Sequence, residues 1–414
     1  MKEIIIINLI IAVIFFVCYC YQFLFVAISF LQKDKPHTKQ EKNHNFAVLI
    51  AARNEASVIG HLINSIKTQT YHNDKVSIFV VADNCTDETA QIARDMGAIV
   101  YERFDQINVG KGYAIEYLLD RMEEDYTPFD GYFVFDADNI LDERYIAEMN
   151  KTFSDGYDII TSYRNSKNYG DNWISAGYGL WFLWESEYLN RGRMLLGTSC
   201  AVSGTGFFFS RRIFEKYGGW KFFLLTEDIQ FTVENVISGE RIGYCRNAVV
   251  YDEQPIKLKQ SFRQRMRWAK GFFQVFRKYG VNLLKGSLNR NLSCFDMMMV
   301  IMPAIILTIF CLFINLTAIM IGNFSPYETS ILIFSLQKMF TNIYFTLVTI
   351  GTITTITQWQ NIHTTSFKKI LYIFTFPIFM LTYIPITIMA MFKKVEWRPI
   401  EHSQAKTLAE IKEG

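Results

Sequence analysis

Tyr132-Phe133-Val134-Phe135-Asp136-Ala137-Asp138-Asn139 sets four apolar residues directly before two carboxylates. So short an apolar run fits a strand buried on both faces of a parallel sheet. Asp136 and Asp138 then stand at i and i+2 beyond its carboxyl end, a D-x-D. Hard carboxylate oxygens so placed suit Mg2+ or Mn2+ bridging a diphosphate, and the same spacing also makes a plain turn.

Working outward, strands and helices alternate. The apolar run 46–52 reads as a first strand, followed by helical periodicity over 55–69 through Val58, Leu62, Ile63 and Ile66. A second strand is expected at 76–82 and a helix at 86–96. A third strand at 98–101, a helix at 112–122 and the strand at 132–135 complete the series. This alternation implies a parallel sheet covered on both faces. Ligands then bind beyond the carboxyl ends of the strands.

Polar motifs occupy those ends. Ala51-Ala52-Arg53-Asn54-Glu55 follows the first strand and Asp83-Asn84-Cys85-Thr86-Asp87 the second. A carboxylate there accepts the imide N–H of uracil or caps the next helix. Asp83 is open to both readings, and Asp87 reads as a cap. Asn108-Val109-Gly110-Lys111-Gly112 opens a helix with a lysine for anions and glycines for close backbone approach. Its spacing is not that of a P-loop. Leu225-Thr226-Glu227-Asp228 opens a further helix, as an acidic cap or as the general base of an inverting transfer. Ser203-Gly204-Thr205-Gly206 either lets a sugar chain pass close to the backbone or makes a turn.

Gln264-Arg265-Met266-Arg267-Trp268 brings Gln264, Arg267 and Trp268 to one helical face. A guanidinium suits phosphate and an indole suits the C–H face of a sugar. Around them, Phe262, Met266, Ala269, Phe273 and Phe276 form an apolar stripe. Lys259, Arg263, Arg267 and Lys270 form a basic one, so the segment reads as an interfacial helix.

The 414 residues are 50% hydrophobic with a net charge of +2, which gives no field for nucleic acid. The apolar share is concentrated. Segment 4–31 is long enough to span a bilayer, lacks a cleavage site and runs into Lys33, Lys35 and Lys39. It is expected to be a retained anchor with the following region cytoplasmic. Further apolar runs cover 295–321, 331–356 and 370–392. Four crossings would put the C-terminus outside, whereas Lys393, Lys394 and Arg398 favour the inside, so one run is expected to be re-entrant or interfacial. The seven cysteines have no zinc-ligand spacing.

Asp83, Asp136-x-Asp138, Thr226-Glu227-Asp228 and Gln264-x-x-Arg267-Trp268, in that order, resemble the membrane-integrated family-2 glycosyltransferases. These include poly-N-acetylglucosamine, cellulose and hyaluronan synthases. The resemblance covers about 46–279. It implies an α/β GT-A (nucleotide-diphospho-sugar transferase, Rossmann-like) domain inserted between transmembrane helices, with an interfacial helix. It assigns Asp228 as base and Asp136 and Asp138 to the metal. Ala52, Glu55, Asp83, Lys111, Asp136, Gln264 and Arg267 go to the nucleotide, and Trp268, Glu227 and Gly206 to the acceptor. The tail Val395-Glu396-Trp397-Arg398-Pro399-Ile400-Glu401-His402 is similar to tails near poly-N-acetylglucosamine-type synthases. Against cellulose synthases, the chain has fewer C-terminal spans and no cyclic-dinucleotide-binding domain.

The expected layout is an anchor at 1–32, the catalytic domain at 45–254 and the interfacial helix at 255–290. Transmembrane helices at 294–393 and a tail at 394–414 complete it. The expected activity is transfer from a UDP-sugar, UDP-GlcNAc or UDP-Glc, with Mg2+ or Mn2+, in processive polysaccharide synthesis. The alternative is addition of a single sugar to a lipid, as ceramide glucosyltransferases do. A silent membrane scaffold is disfavoured by the intact carboxylates. Expected partners are the donor, a glycan or lipid acceptor, membrane lipid and an accessory membrane subunit.

Overall fold

The computed structural model describes residues 2–413 except 35, 127, 323, 401 and 403, with the backbone alone at 303–305 and 321. Lys35 and Glu401, named above, lie outside the described residues. Eight strands form one sheet: β1 (Phe46–Ala52), β2 (Val76–Asp83), β3 (Ile99–Arg103), β4 (Gly131–Asp136), β5 (Ile140–Leu141), β6 (Ile159–Ser166), β7 (Phe207–Ser210) and β8 (Ile242–Asp252). Their order is β3-β2-β1-β4-β7-β6-β8-β5.

The expected parallel sheet holds for β1 to β4. Beyond β4 it is mixed, because β7 runs antiparallel to both β4 and β6, and β5 antiparallel to β8. β1 shows why helices cover both faces. Ala47 and Leu49 join one apolar cluster, with Leu118 and Trp220, while Phe46, Val48 and Ile50 join the other, with Leu62 and Ile66. Successive side chains point to opposite faces, so a strand apolar throughout needs cover on both sides.

Two expected helices are shorter than their periodicity suggests. The first begins at Ile59 and the second at Thr89. Asn54 and Asn84 explain this, since each adopts a left-handed conformation (φ 58° and 54°) just past a strand end. Asn54 Oδ1 accepts from Thr86 N–H at 2.8 Å and Asn84 Oδ1 from Asp105 N–H at 3.0 Å. The strand ends are thus closed by side-chain turns, and the helices start later.

Among the described residues three helices are long and apolar enough to cross a membrane: Lys2–Leu31, Pro326–Thr357 and Ser366–Phe392. A fourth is added if Leu292–Ile301 and Ile306–Met320, bent by 49°, count as one. The bend falls at Pro303, which has no N–H to continue the helical ladder.

The tail returns to the catalytic domain. Arg53 lies over the Trp397 ring, 5.4 Å from its centroid, and Ile411 packs with Ile140 and Tyr251. Lys412 Nζ pairs with Asp142 at 2.9 Å.

Candidate active site

A cavity of about 610 Å³ opens along the carboxyl ends of β1, β2 and β4 and continues among the membrane helices. Ala52, Glu55, Asp83, Lys111, Asp136, Asp138, Glu227, Asp228, Gln264, Arg267 and Trp268 all line it. One expected site residue does not. Gly206 is buried beneath the sheet, where a Cβ would meet Val250 Cγ1 at 2.7 Å and Ser162 Oγ at 2.8 Å. Gly204, two residues earlier, holds the lining position instead.

At the carboxyl end of β2, Asp83 is buried and accepts from Arg103 NH1 at 2.7 Å. Burial pushes its carboxyl up and the guanidinium pulls it back. Asp87 stands one residue before the N-cap position, Glu88, and its Oδ1 accepts from Thr89 N–H at 3.1 Å. Gly112 serves close approach, though to protein: a Cβ there would stand 2.1 Å from the Phe222 carbonyl oxygen. The expectation of a ligand at that glycine is therefore corrected.

Lys111 Nζ donates to Asp136 Oδ1 at 2.5 Å and to the Gly204 carbonyl at 2.9 Å. Asp138 Oδ2 accepts from Glu253 N–H at 2.7 Å, and its Oδ1 has a weak 3.3 Å contact from Asn139. Burial pushes Asp138 up, but His402, Lys167 and the Glu253 N–H outweigh it and hold the carboxyl below its ordinary value. An ionised carboxylate with lone pairs to spare fits a hard divalent cation. Among the described residues no group of three or more His, Cys, Asp or Glu forms a metal cage. A metal here would draw its other ligands from substrate phosphates and water, as Mg2+ commonly does.

Toward the acceptor side, Glu227 and Asp228 occupy the first turn of the helix Glu227–Ile237. Thr226 is the N-cap position, and its side chain makes no capping bond. Asp228 is therefore not the cap. Burial and the Asp228 charge push Glu227 up to about 7 against the pull of Lys111 and Arg267. Burial likewise raises Asp228.

The helix Leu258–Leu288 carries Gln264, Arg267 and Trp268 on the cavity wall. Arg267 NH1 donates to the Leu225 carbonyl at 3.2 Å, and Trp268 meets Tyr178 edge-on at 5.7 Å. The expected apolar stripe is not the buried face. Ser261, Arg265, Gly271, Val275, Tyr279 and Leu283 are buried instead. The helix is packed by Glu227–Ile237 on the domain side and by Leu292–Ile301 and Tyr383–Phe392 on the membrane side, and the stripe residues stay partly exposed. Arg265, fully buried, donates from NH1 to the Phe379 carbonyl at 3.1 Å and to Thr382 Oγ1 at 2.7 Å. Phe379 and Tyr383 face its guanidinium at 4.2 and 4.9 Å.

Three residues with no earlier role join the site. His402 Nδ1 contacts both Glu55 carboxylate oxygens at 2.9 and 3.0 Å. Lys167, 5% exposed, has no hydrogen-bond partner for Nζ among the described residues. Glu185 lines the cavity between Asp228 and the membrane helices. Only His402 left a trace in the sequence, as part of the tail motif.

A Rossmann-like sheet with carboxylates at its strand ends, joined to a guanidinium and an indole, forms one continuous polar wall of the cavity. Residues 44–271 match the family described as "Glycosyltransferase like family 2", and the chain belongs to it. Relatives include a probable glycosyltransferase, YdaM, of Bacillus subtilis, 27% identical over 61% of this chain and 60% of its own length. A beta-monoglucosyldiacylglycerol synthase of Synechocystis is 24% identical over 56% of this chain and 48% of its own. A poly-beta-1,6-N-acetyl-D-glucosamine synthase of Staphylococcus aureus is 23% identical over 60% and 59%. The chain thus spans less than two thirds of each. Among solved structures, the mannosyltransferase PcManGT from Pyrobaculum calidifontis, in complex with GDP-Man and Mn2+, is similar in fold. Its TM-score is 0.56 at 13% identity, over 93% of this chain and 99% of that one.

Proposed function

We propose that this glycosyltransferase inverts the anomeric centre of a UDP-sugar, UDP-Glc or UDP-GlcNAc, and places the sugar on a membrane lipid. The observation that carries the lipid reading is the outer cavity wall. Phe15, Ile306, Ile343, Leu347, Met380 and Ile384 line it, all from membrane helices. Aliphatic side chains suit acyl chains, whereas a growing glycan would find few partners for its hydroxyls there. The processive reading keeps one observation in its favour: Trp181, Phe182 and Trp268 form an aromatic rim near the carboxylates.

In the reaction the acceptor oxygen attacks the anomeric carbon as the bond from that carbon to the diphosphate oxygen breaks. Asp228 takes the hydroxyl proton. Lys111, Arg267 and Gln264 orient the diphosphate, and Ala52, Glu55 and Asp83 border the nucleotide. Asp138, with Asp136, would hold a Mg2+ or Mn2+, which neutralises the diphosphate when bound.

The same reading places the catalytic domain and tail on one side of the membrane, the cytoplasmic one. Lys368 Nζ, near the start of segment 366–392, donates to the Gly170 carbonyl, and Lys270 Nζ reaches the Ala390 carbonyl near its end. Both ends thus approach the catalytic side. This supports a re-entrant course for that segment, which removes the conflict with Lys393 and Lys394.

The test is to reconstitute the full chain with labelled UDP-sugars and lipid acceptors and to size the products. Lipid bearing one sugar is expected. High-polymer product formed without acceptor lipid would favour processive synthesis instead.

A further inference from the structure

Glu185 opens a π-helical turn, Glu185–Asn190, between the helices Trp173–Trp184 and Arg191–Leu196. Such turns insert a residue, re-aim side chains and recur at functional sites. Its Oε2 accepts from Ser203 Oγ at 3.0 Å. Next along that loop is Gly204, where a Cβ would stand 3.8 Å from Asp228 Oδ2. Glu185 and Asp228 therefore flank one loop on the cavity wall.

The neighbouring cations are committed to protein partners or, for Lys111 and Arg267, to the diphosphate in the reading above. Arg193 donates from Nε and NH2 to Asp296 at 2.6 and 3.1 Å and from NH1 to Asn190 at 3.0 Å. Arg164 holds Asp252 and the Ser203 carbonyl. Lys111 is engaged by Asp136. What this stretch of wall offers a ligand is carboxylate, from Glu185, Glu227 and Asp228. Two further lining groups, Gln264 Oε1 and Thr387 Oγ1, are buried without a partner among the described residues, and Thr387 is 5% exposed. They await a hydrogen-bonding ligand. A phosphate-headed lipid would bring its charge against whichever of these acids is ionised, and the low dielectric magnifies that repulsion. An uncharged headgroup with O–H or N–H donors would instead satisfy the Glu185 carboxylate.

Resting on the lipid reading above, we propose that Glu185 selects the acceptor. Its carboxylate takes a hydrogen bond from a second hydroxyl or amide N–H of an uncharged lipid headgroup, which turns the first hydroxyl toward Asp228.

The experiment uses the full chain in lipid nanodiscs. Its acceptors are ceramide and monoglucosyldiacylglycerol (two or more donors), diacylglycerol (one) and polyprenyl phosphate. Wild type should favour two-donor over one-donor lipids in kcat/KM by about tenfold or more, the scale of a charged hydrogen bond. Polyprenyl phosphate should stay at background. Glu185→Ala should abolish the two-donor preference with UDP affinity retained. Glu185→Gln keeps an acceptor oxygen without the charge, so it should keep the preference and admit polyprenyl phosphate. Should the alanine variant fail to fold, the glutamine variant still decides the charge. Use of polyprenyl phosphate by wild type, or wild-type selectivity in both variants, overturns the proposal and leaves the lipid reading standing. Polymer with no lipid product overturns both.

Discussion

His402 Nδ1 lies 2.9 Å from a carboxylate oxygen of Glu55, 347 positions earlier in the chain. The contact pins the tail across the strand end where the nucleotide is proposed to sit. Burial disfavours charge on His402, but Asp138, Glu55 and Glu253 outweigh it and push its pKa up to about 10. The folded value lies above the ordinary 6.5, so the stabilisation is complete below that pH and is lost as pH rises through about 10. Limited proteolysis should find the tail protected at about pH 7 and open above about pH 10. His402→Ala should be open already at about pH 7; equal protection in the two proteins would refute the strap.

Asp228→Asn removes proton uptake and little else. Transfer should fall at least about 10²-fold while donor affinity persists. The carboxyl pair also predicts a pH profile, since activity needs Asp228 ionised and burial raises both acids. Burial is the first cause of the Asp228 shift, so the acid limb of kcat should lie above the ordinary carboxylate range. An acid limb at the ordinary carboxylate value would dissociate Asp228 from the chemistry.

Arg267 and Trp268 share the cavity wall but are assigned different work. Arg267→Ala should weaken UDP binding by about 1.5–3 kcal/mol, the cost of a charged hydrogen bond. Trp268→Ala should leave UDP affinity nearly unchanged and raise the acceptor KM. Isothermal titration with UDP separates them, and similar losses in both variants would end the division.

Asp138→Asn should abolish turnover while the protein still folds and inserts. Chelation should do the same to wild type, with recovery on adding Mg2+ or Mn2+. Full turnover in excess chelator would remove the metal from the proposal.

Arg265 ties the helix of Arg267 and Trp268 to the turn at Phe379 and Thr382. Arg265→Met keeps bulk but leaves the Phe379 carbonyl without that donor. The loss is about 1–3 kcal/mol, the scale for an unsatisfied buried group. A fall in Tm in detergent is expected, and an unchanged Tm would show that the contact carries no stability.

The sheet's first half was legible because β1, β2 and β4 are apolar runs with polar turns at fixed offsets, which period and length alone reveal. β7 was not, since Phe207–Ser210 follows a glycine loop and its antiparallel pairing is decided by β4 and β6. The site carboxylates were visible as motifs, yet their partners were not. Arg103 meets Asp83 from 20 positions away and His402 meets Glu55 from the far end of the chain. Periodicity showed the apolar stripe on Leu258–Leu288, but not that the helix would also be packed through Ser261, Arg265 and Val275. Gly206 was chosen for its size, and only the pairing of β6 with β7 and β8 shows that this space is filled by Val250 and Ser162.

The strap over Glu55 is the direct continuation of the membrane segment that ends at Phe392. Floor and roof of the chamber are therefore consecutive pieces of one C-terminal stretch, and both lie past residue 271, where the family match stops. A fragment cut at that boundary would carry every strand and every carboxylate motif but lose core residues such as Val275, Leu283 and Phe376, and would present the motifs as an open trough. On the proposed reading, water would stand where the acceptor hydroxyl is placed, so such a fragment should hydrolyse its donor slowly rather than glycosylate. Structural or inhibitor work on an excised soluble domain would then be describing a different enzyme.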